Sequence, residues 1–156
     1  MAYDLIIRAD RVFCADQGID GPGCVAISGG RIVASGAHVT GEAAEVIALT
    51  DVTLLPGLVD LHAHPGLPDS RYGVNPDTEF LTRGVTTVLS QGEAGARDLD
   101  EYREHVIRAS RTRVLLAVNL SRNGEKNPRA NLERIEDADV EACVSAVNAG
   151  GHEVWG

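Results

Sequence analysis

The sequence predicts an α/β fold: a small β-rich segment over residues 1–55, then, over residues 56–156, the first half of a (β/α)8, TIM-like barrel. Short apolar runs crowd the first third of the chain, and strand-type runs alternate with helix-type segments after Pro56. Successive strands start roughly 30–40 residues apart in the second segment, within the range of an α/β barrel. A doubly wound open sheet competes, but it usually places a Gly-rich loop after its first strand, and none follows Leu58–His62.

The first segment contains five apolar runs that are typical of strands. They are Tyr3–Arg8, Cys24–Ser28, Arg31–Ser35, Glu45–Leu49 and Val52–Leu55. Gly29 and Gly30 separate the second run from the third, and this spacing predicts a primed hairpin turn because glycine tolerates positive φ. The sheet so formed is too small to be comfortably stable by itself.

The second segment contains three predicted strands and the start of a fourth. They are Leu58–His62, Val85–Ser90, Val114–Leu120 and a run that begins at His152. The second and third runs are apolar almost throughout, which predicts strands buried on both faces.

Capping residues predict the helices between these strands. Asn75 followed by proline starts a first helix, which ends at Gly84. Asp98 and Glu101 form a capping-box pattern for a second helix that reaches about Ser110. Asp137 is predicted to cap a third helix that ends at Gly150-Gly151. Its apolar face has the spacing i, i+3, i+4, i+7 and consists of Val140, Cys143, Val144 and Val147.

Composition excludes several classes of partner. The chain has 14 Lys and Arg against 23 Asp and Glu, a formal charge of −9, and phosphate binding needs a basic patch. No apolar stretch approaches the ~20 residues that span a bilayer, and the N-terminus lacks a secretion-signal pattern. Cys14, Cys24 and Cys143 form no CxxC pair and indicate thiols in a reducing compartment. We therefore expect a cytoplasmic protein with no nucleic-acid or membrane partner.

The stretch DLHAHPG, residues 60–66, ends the first strand of the second segment. Side chains alternate faces in a strand, so Asp60, His62 and His64 share one face and Leu61 and Ala63 share the other, which would meet surrounding helices. Barrel enzymes keep their active sites at the carboxyl ends of strands. Two adjacent imidazoles can hold one divalent metal, with Asp60 orienting a ligand from behind. His62 and His64 are the predicted metal ligands.

Two more candidates follow later strands at the same edge. Glu93 lies after the second strand and is a candidate contact to metal or substrate. Arg122 lies after the third and is a candidate contact to a substrate carboxylate, which a guanidinium can hold with two hydrogen bonds. A solvated loop residue is the alternative for each. His38 and His105 are expected to be ordinary surface residues, and His152 is expected to be structural.

With these features in place, the sequence resembles the amidohydrolase superfamily of metal-dependent hydrolases. PGLVDLHAH carries the resemblance most specifically, and YDLIIRADRV, CVAISGGRIVASG and RGVTTVLSQGEAGA extend it over essentially the whole chain. The similarity is strongest to the amidohydrolase/deacetylase branch, which is related to dihydroorotases. The resemblance implies a (β/α)8 barrel beside a small β-sandwich, and one or two divalent ions, usually Zn²⁺. A metal-activated water then attacks an amide or ester carbonyl.

The chain also departs from the family pattern. Dihydroorotases and hydantoinases commonly carry an arginine shortly after the histidine pair, but Pro65-Gly66-Leu67 follows here, and Arg71 is not its positional equivalent. The family's carboxylated lysine, later histidines and catalytic aspartate map to no residue of the chain. Because a whole barrel needs about 250 residues, we interpret the chain as an N-terminal fragment and expect no turnover from it alone.

The predicted function is that of a metal-dependent amidohydrolase acting on a small-molecule amide or ester, with deacetylation of an N-acyl compound as the preferred reaction. The alternatives are a dihydroorotase- or hydantoinase-like cyclic amidohydrolase and a non-catalytic dihydroorotase-like scaffold. A stand-alone metal-binding half-barrel is a third reading. The substrate and the oligomeric state, a homo-oligomer included, stay open.

Overall fold

The structure, a computed structural model, describes residues 2–66, 70, 72–125 and 134–156. These residues form two compact units, divided after Pro56. Leu67 and Arg71 lie outside the described residues. Within the described ranges, no helix has the length and apolar character needed to cross a membrane.

The first unit is a four-stranded sheet with the strand order β3-β2-β1-β4. Its strands are β1 (Ala2–Cys14), β2 (Ile19–Ser28), β3 (Arg31–Gly36) and β4 (Glu42–Leu54). Strand β1 pairs antiparallel with β2 and parallel with β4. The predicted hairpin turn is confirmed, since Gly29 and Gly30 have φ values of 58° and 71°, as a primed turn requires.

The prediction of two separate strands near residue 50 is wrong. Strand β4 runs continuously through Asp51, although this residue has a φ of 58°. A non-glycine residue rarely adopts positive φ, so the sequence around it resembles a break between strands. The backbone N–H of Asp51 donates to Oδ2 of Asp10 at 2.8 Å, which stabilises the irregular position within the sheet.

The second unit is built on a parallel sheet with the order β5-β6-β7. Its strands are β5 (Leu58–Ala63), β6 (Val85–Gly95) and β7 (Arg113–Asn119). Val154 forms a parallel bridge to Leu116, so a fourth strand position follows in sequence order. That position starts later than predicted, because His152 lies in a 3-10 turn, Gly151–Glu153.

Among the described residues, three short α-helices connect these strands: α1 (Pro76–Glu79), α2 (Leu99–Tyr102) and α3 (Val140–Ala149). Asn75 caps α1 as predicted, because its side chain accepts from two backbone N–H groups. Asp98 is the N-cap residue of α2, as predicted, but its side chain makes no cap hydrogen bond. Asp98 accepts instead from the backbone N–H of Gly95 at 2.8 Å, and α2 continues as a π-helical turn, Arg103–Ile107.

The start and the packed face of α3 also differ from the prediction. Asp139, not Asp137, is the cap, and its side chain accepts from the N–H of Ala142. Asp137 lies in a 3-10 turn, and its carbonyl accepts from the N–H of Arg122. The residues of α3 packed on the core are Cys143, Ala146 and Val147, whereas Val140 and Val144 are more than half exposed.

The core of the second unit lies between the sheet and these helices. Strand residues Val88, Val114 and Leu116 are buried with residues of α2 and the π-helical turn: Leu99, Tyr102, Val106 and Ile107. Strand β7 is buried on both faces as predicted. The same prediction for β6 is wrong at Thr86, which is exposed. Burial of each large apolar side chain contributes about 1.5–3 kcal/mol, so this layer holds β5, β6 and β7 in place.

A carboxylate fastens α1 to the segment before β7. Asp77 accepts hydrogen bonds from the backbone N–H groups of Arg111 and Thr112 and from the Thr112 hydroxyl, at 2.8–3.0 Å. The hydrogen bond from Arg111, followed by those from Thr112, outweighs burial and lowers the pKa of Asp77. The contact therefore stabilises the fold in its ionised form.

Replacing Asp77 by asparagine is expected to lower the free energy of unfolding by about 1 kcal/mol at neutral pH, because a neutral acceptor binds these donors more weakly. A lowered folded-state pKa gives stability that is complete above the unfolded-state pKa, near 3.9, and is lost as pH falls through the folded-state pKa. Urea unfolding should therefore show a difference at neutral pH that shrinks in strong acid. Asp16→Asn, at an exposed position, is the matched control. A difference that grows on acidification would contradict the assignment.

Candidate metal centre

The histidine pair lies where β5 ends, at the carboxyl edge of the parallel sheet. Ala63 is buried in the core, whereas the His62 and His64 rings lie beside each other, with centroids 5.5 Å apart and planes tilted by 59°. Asp60 Oδ1 accepts from the backbone N–H of His62 at 2.9 Å. The prediction that Leu61 meets a surrounding helix is wrong, because its side chain is 66% exposed.

Glu93, near the end of β6, reaches the side chain of His64. Its Oε1 lies 2.9 Å from His64 Nδ1, and its Oε2 accepts from the Ser70 hydroxyl at 2.6 Å. The Glu93 side chain is only 2% exposed. Ser70 in turn accepts from the backbone N–H of Gly73 at 3.1 Å. A buried carboxylate thus connects the second predicted metal ligand to the loop that follows β5.

A second carboxylate, from Glu125, approaches the same nitrogen. Its Oε2 lies 3.4 Å from His64 Nδ1, and its backbone N–H donates to the Glu93 carbonyl at 3.2 Å. One donor atom from each of His64, Glu93 and Glu125 lies within 4.8 Å of the others. Two carboxylates this close repel each other unless a proton or a cation lies between or beside them.

These residues fit a divalent cation by their donor chemistry and by their spacing. Imidazole nitrogen and carboxylate oxygen are both ligands of zinc, and two imidazoles that bind one zinc at about 2.0–2.1 Å have centroids roughly 5–6 Å apart. The 5.5 Å separation of the His62 and His64 rings meets this requirement. The carboxylates of Glu93 and Glu125 supply negative charge beside the His64 ring.

Arg122 and the remaining histidines make their contacts elsewhere. The Arg122 guanidinium donates to the Glu136 carbonyl and lines an open cavity of about 270 Å³ together with Ala96, Arg97, Asp139 and Ala142. His38 and His105 are exposed. The substrate role of Arg122 stays a prediction.

Tyr102 of α2 supports the strand end from the core side. Its hydroxyl donates to the Pro65 carbonyl at 2.6 Å. Burial, as the largest cause, raises the pKa of Tyr102 above its ordinary value, so the phenol stays protonated and keeps donating. The backbone directly after His64 is therefore anchored to the helix layer.

Sequence reasoning missed Glu125 and Ser70. Glu125 follows β7 in the loop that also holds Arg122, so the rule that places functional groups after strands covers its position. Ser70 has no comparable signal, because its contact with Glu93 spans 23 positions in the chain.

Gly124 brings Glu125 against Glu93. It has a φ of 58°, and a Cβ added to it would lie 2.3 Å from the Glu93 carbonyl oxygen. Gly124→Ala is expected to displace the loop and weaken Zn²⁺ binding by about tenfold, as loss of a supporting contact around a metal site typically does. Equilibrium competition with a chromogenic chelator measures this. Gly151→Ala, also at positive φ but with open space around it, is the control for backbone strain alone. Equal weakening in both variants would contradict the expectation.

Parallel βα units, paired histidines and two carboxylates at the carboxyl edge of the sheet define an α/β protein with side chains that could hold a metal ion. No family model matches the chain. A deacetylase of Enterococcus faecalis is 30% identical over 148 residues, which are 92% of this chain and 38% of the relative. A dihydroorotase of Streptococcus pneumoniae is 33% identical over 88 residues, 54% of this chain and 21% of the relative.

The solved structure of an adenine deaminase matches with a TM-score of 0.78 and 27% identity, over 94% of this chain and 38% of that one. The chain thus spans less than two fifths of the length of these relatives. In sequence and fold the chain is thus similar to one part of a deacetylase, a dihydroorotase and an adenine deaminase.

Proposed function

We propose that the chain is the N-terminal part of a metal-dependent amidohydrolase that removes an acyl group, preferably acetyl, from the nitrogen of a small molecule. The observation that carries the proposal is the pair of imidazoles, 5.5 Å apart, at the carboxyl edge of the sheet. The deacetylase relative supports the reaction, since its match covers 92% of the chain against 54% for the dihydroorotase. We include in the proposal a barrel completed by further strands, a β-sandwich around β1–β4, and a cytoplasmic location.

The chain's own residues would prepare the site as follows. His62 and His64 would hold a divalent ion, preferably Zn²⁺, which when bound lowers the pKa of water and polarises a carbonyl. Asp60 fixes the backbone of His62, and Tyr102 fixes that of Pro65. Arg122 is the proposed contact to a substrate carboxylate, and Arg97 and Asp139 line the same cavity.

The proposal is tested with the whole protein loaded with Zn²⁺ and a panel of N-acetyl amino acids, dihydroorotate and hydantoin. We expect acetate release that a chelator abolishes and added Zn²⁺ restores. If only the cyclic amides were hydrolysed, the function would be that of a cyclic amidohydrolase and not of a deacetylase. The similarity to a dihydroorotase favours this second candidate. Bound zinc without hydrolysis of any amide would favour a non-catalytic scaffold.

A further inference from the structure

We infer that Glu93 is a positioning residue: it binds the proton on His64 Nδ1, so that Nε2 is the nitrogen presented to the metal. This inference rests on the proposed metal site. Glu93 does not bind the metal itself but orients His64, which does. Two arrangements use the same donors. In one, the cation sits at Nδ1 between the carboxylates; in the other, Nδ1 carries a proton and the cation sits at Nε2.

The contacts of Glu93 favour the second arrangement. Its Oε2 accepts from the Ser70 hydroxyl at 2.6 Å, and its Oε1 lies 2.9 Å from His64 Nδ1. An unprotonated Nδ1 would direct its lone pair at one carboxylate oxygen 2.9 Å away and at another, from Glu125, 3.4 Å away. Lone pairs and carboxylates repel, whereas an N–H there is attracted by both. The proton therefore belongs on Nδ1, and the free lone pair belongs on Nε2.

The burial of the Glu93 side chain also favours a metal at His64 Nε2. The Glu93 side chain is 2% exposed and that of His64 is 30% exposed, while His62 is exposed. An ion and its substrate arriving from solvent reach the two rings before they reach Glu93. Metal-binding histidines commonly donate their second N–H to a carboxylate, which fixes the ring and raises ligand basicity, and loss of that partner typically costs 10–100-fold in affinity.

The Ser70 hydroxyl adds a second function to Glu93. It donates to Glu93 and accepts from Gly73, so the loop after β5 and the His64 ring share one carboxylate. A Cβ at Gly66 would lie 3.1 Å from Glu93 Oε2 and 2.7 Å from the Gly73 Cα, which shows how closely the loop packs around it. Glu93 thereby contacts both Ser70 in this loop and the His64 ring.

Long-range ¹H–¹⁵N correlation spectra of the zinc-loaded whole protein test the inference directly, without substitution. We expect His64 to show a protonated Nδ1 and a metal-bound Nε2. The reverse pattern would overturn the positioning role and leave the proposed function intact, whereas absence of any metal-bound histidine would overturn both.

Substitutions give a second readout in the zinc dissociation constant. Glu93→Ala is expected to weaken Zn²⁺ binding 10–100-fold. Glu93→Gln, whose amide oxygen still accepts from Nδ1, should retain the tautomer and lose less affinity than the alanine variant. Glu104→Ala, which removes only an exposed ion pair with Arg108, is the control. Wild-type affinity in Glu93→Ala, or equal losses in the alanine and glutamine variants, would contradict the role.

Discussion

Replacing His62 and His64 together by alanine is expected to remove the proposed metal and to lower the proposed hydrolysis by at least about a thousandfold. The two adjacent rings at the sheet edge are the proposed nitrogen ligands, and the carboxylates that remain lie close to a His64 nitrogen that the variant lacks. Loss of about 4 kcal/mol of transition-state stabilisation corresponds to this factor, and a bound metal supplies several kcal/mol. Elemental analysis of the purified whole protein gives the metal content, and acetate release gives the rate.

The matched control is His105→Ala, because His105 is an exposed histidine on the π-helical turn. It should keep both metal and activity. Circular dichroism of the double variant should be unchanged, because neither imidazole belongs to the core. Zinc at the wild-type ratio in the double variant would show that the ion is held elsewhere, and the proposed site would fail.

The second large effect is expected in the core, where Leu116→Ala should lower the free energy of unfolding by 2–5 kcal/mol, about the cost of a fully buried leucine. Leu116 is 0% exposed and lies in the middle of β7. Its backbone pairs with Ser90 on one side and with Val154 on the other. A cavity there loosens three strand positions at once, including the strand that carries Glu93.

Urea unfolding measures this change, with Leu120→Ala as control, since Leu120 is 40% exposed just beyond the end of the same strand. The control should change the unfolding free energy by less than about 1 kcal/mol. If both variants were equally stable, the inner face of β7 would not be the centre of this core. If Zn²⁺ affinity fell in Leu116→Ala but not in Leu120→Ala, packing of the core around β7 would also support the proposed metal site.

Local rules predicted the parts of this protein that depend on neighbouring residues in the chain. The turn at Gly29 and Gly30 and the cap at Asn75 are set by backbone preferences within a few residues. The failures involve competition from distant groups. The side chain of Asp98 accepts from the Gly95 N–H instead of capping α2. Asp137 lies in a turn, and its carbonyl accepts from the Arg122 N–H. Asp51 stays within β4 at positive φ, where its N–H donates to Asp10.

The same division holds for the candidate site. Pleat alternation alone sets His62 and His64 on one face at the end of β5, and parallel strand order puts Glu93 at the same edge. Only the tertiary structure decides that Glu93 contacts Nδ1 of His64, that Glu125 lies beside it and that Ser70 completes the group. Those contacts span 23 to 61 positions in the chain, and they depend on how closely two backbones approach at Gly124. Sequence periodicity carries no information on such an approach, because it is fixed by packing between strands rather than along them.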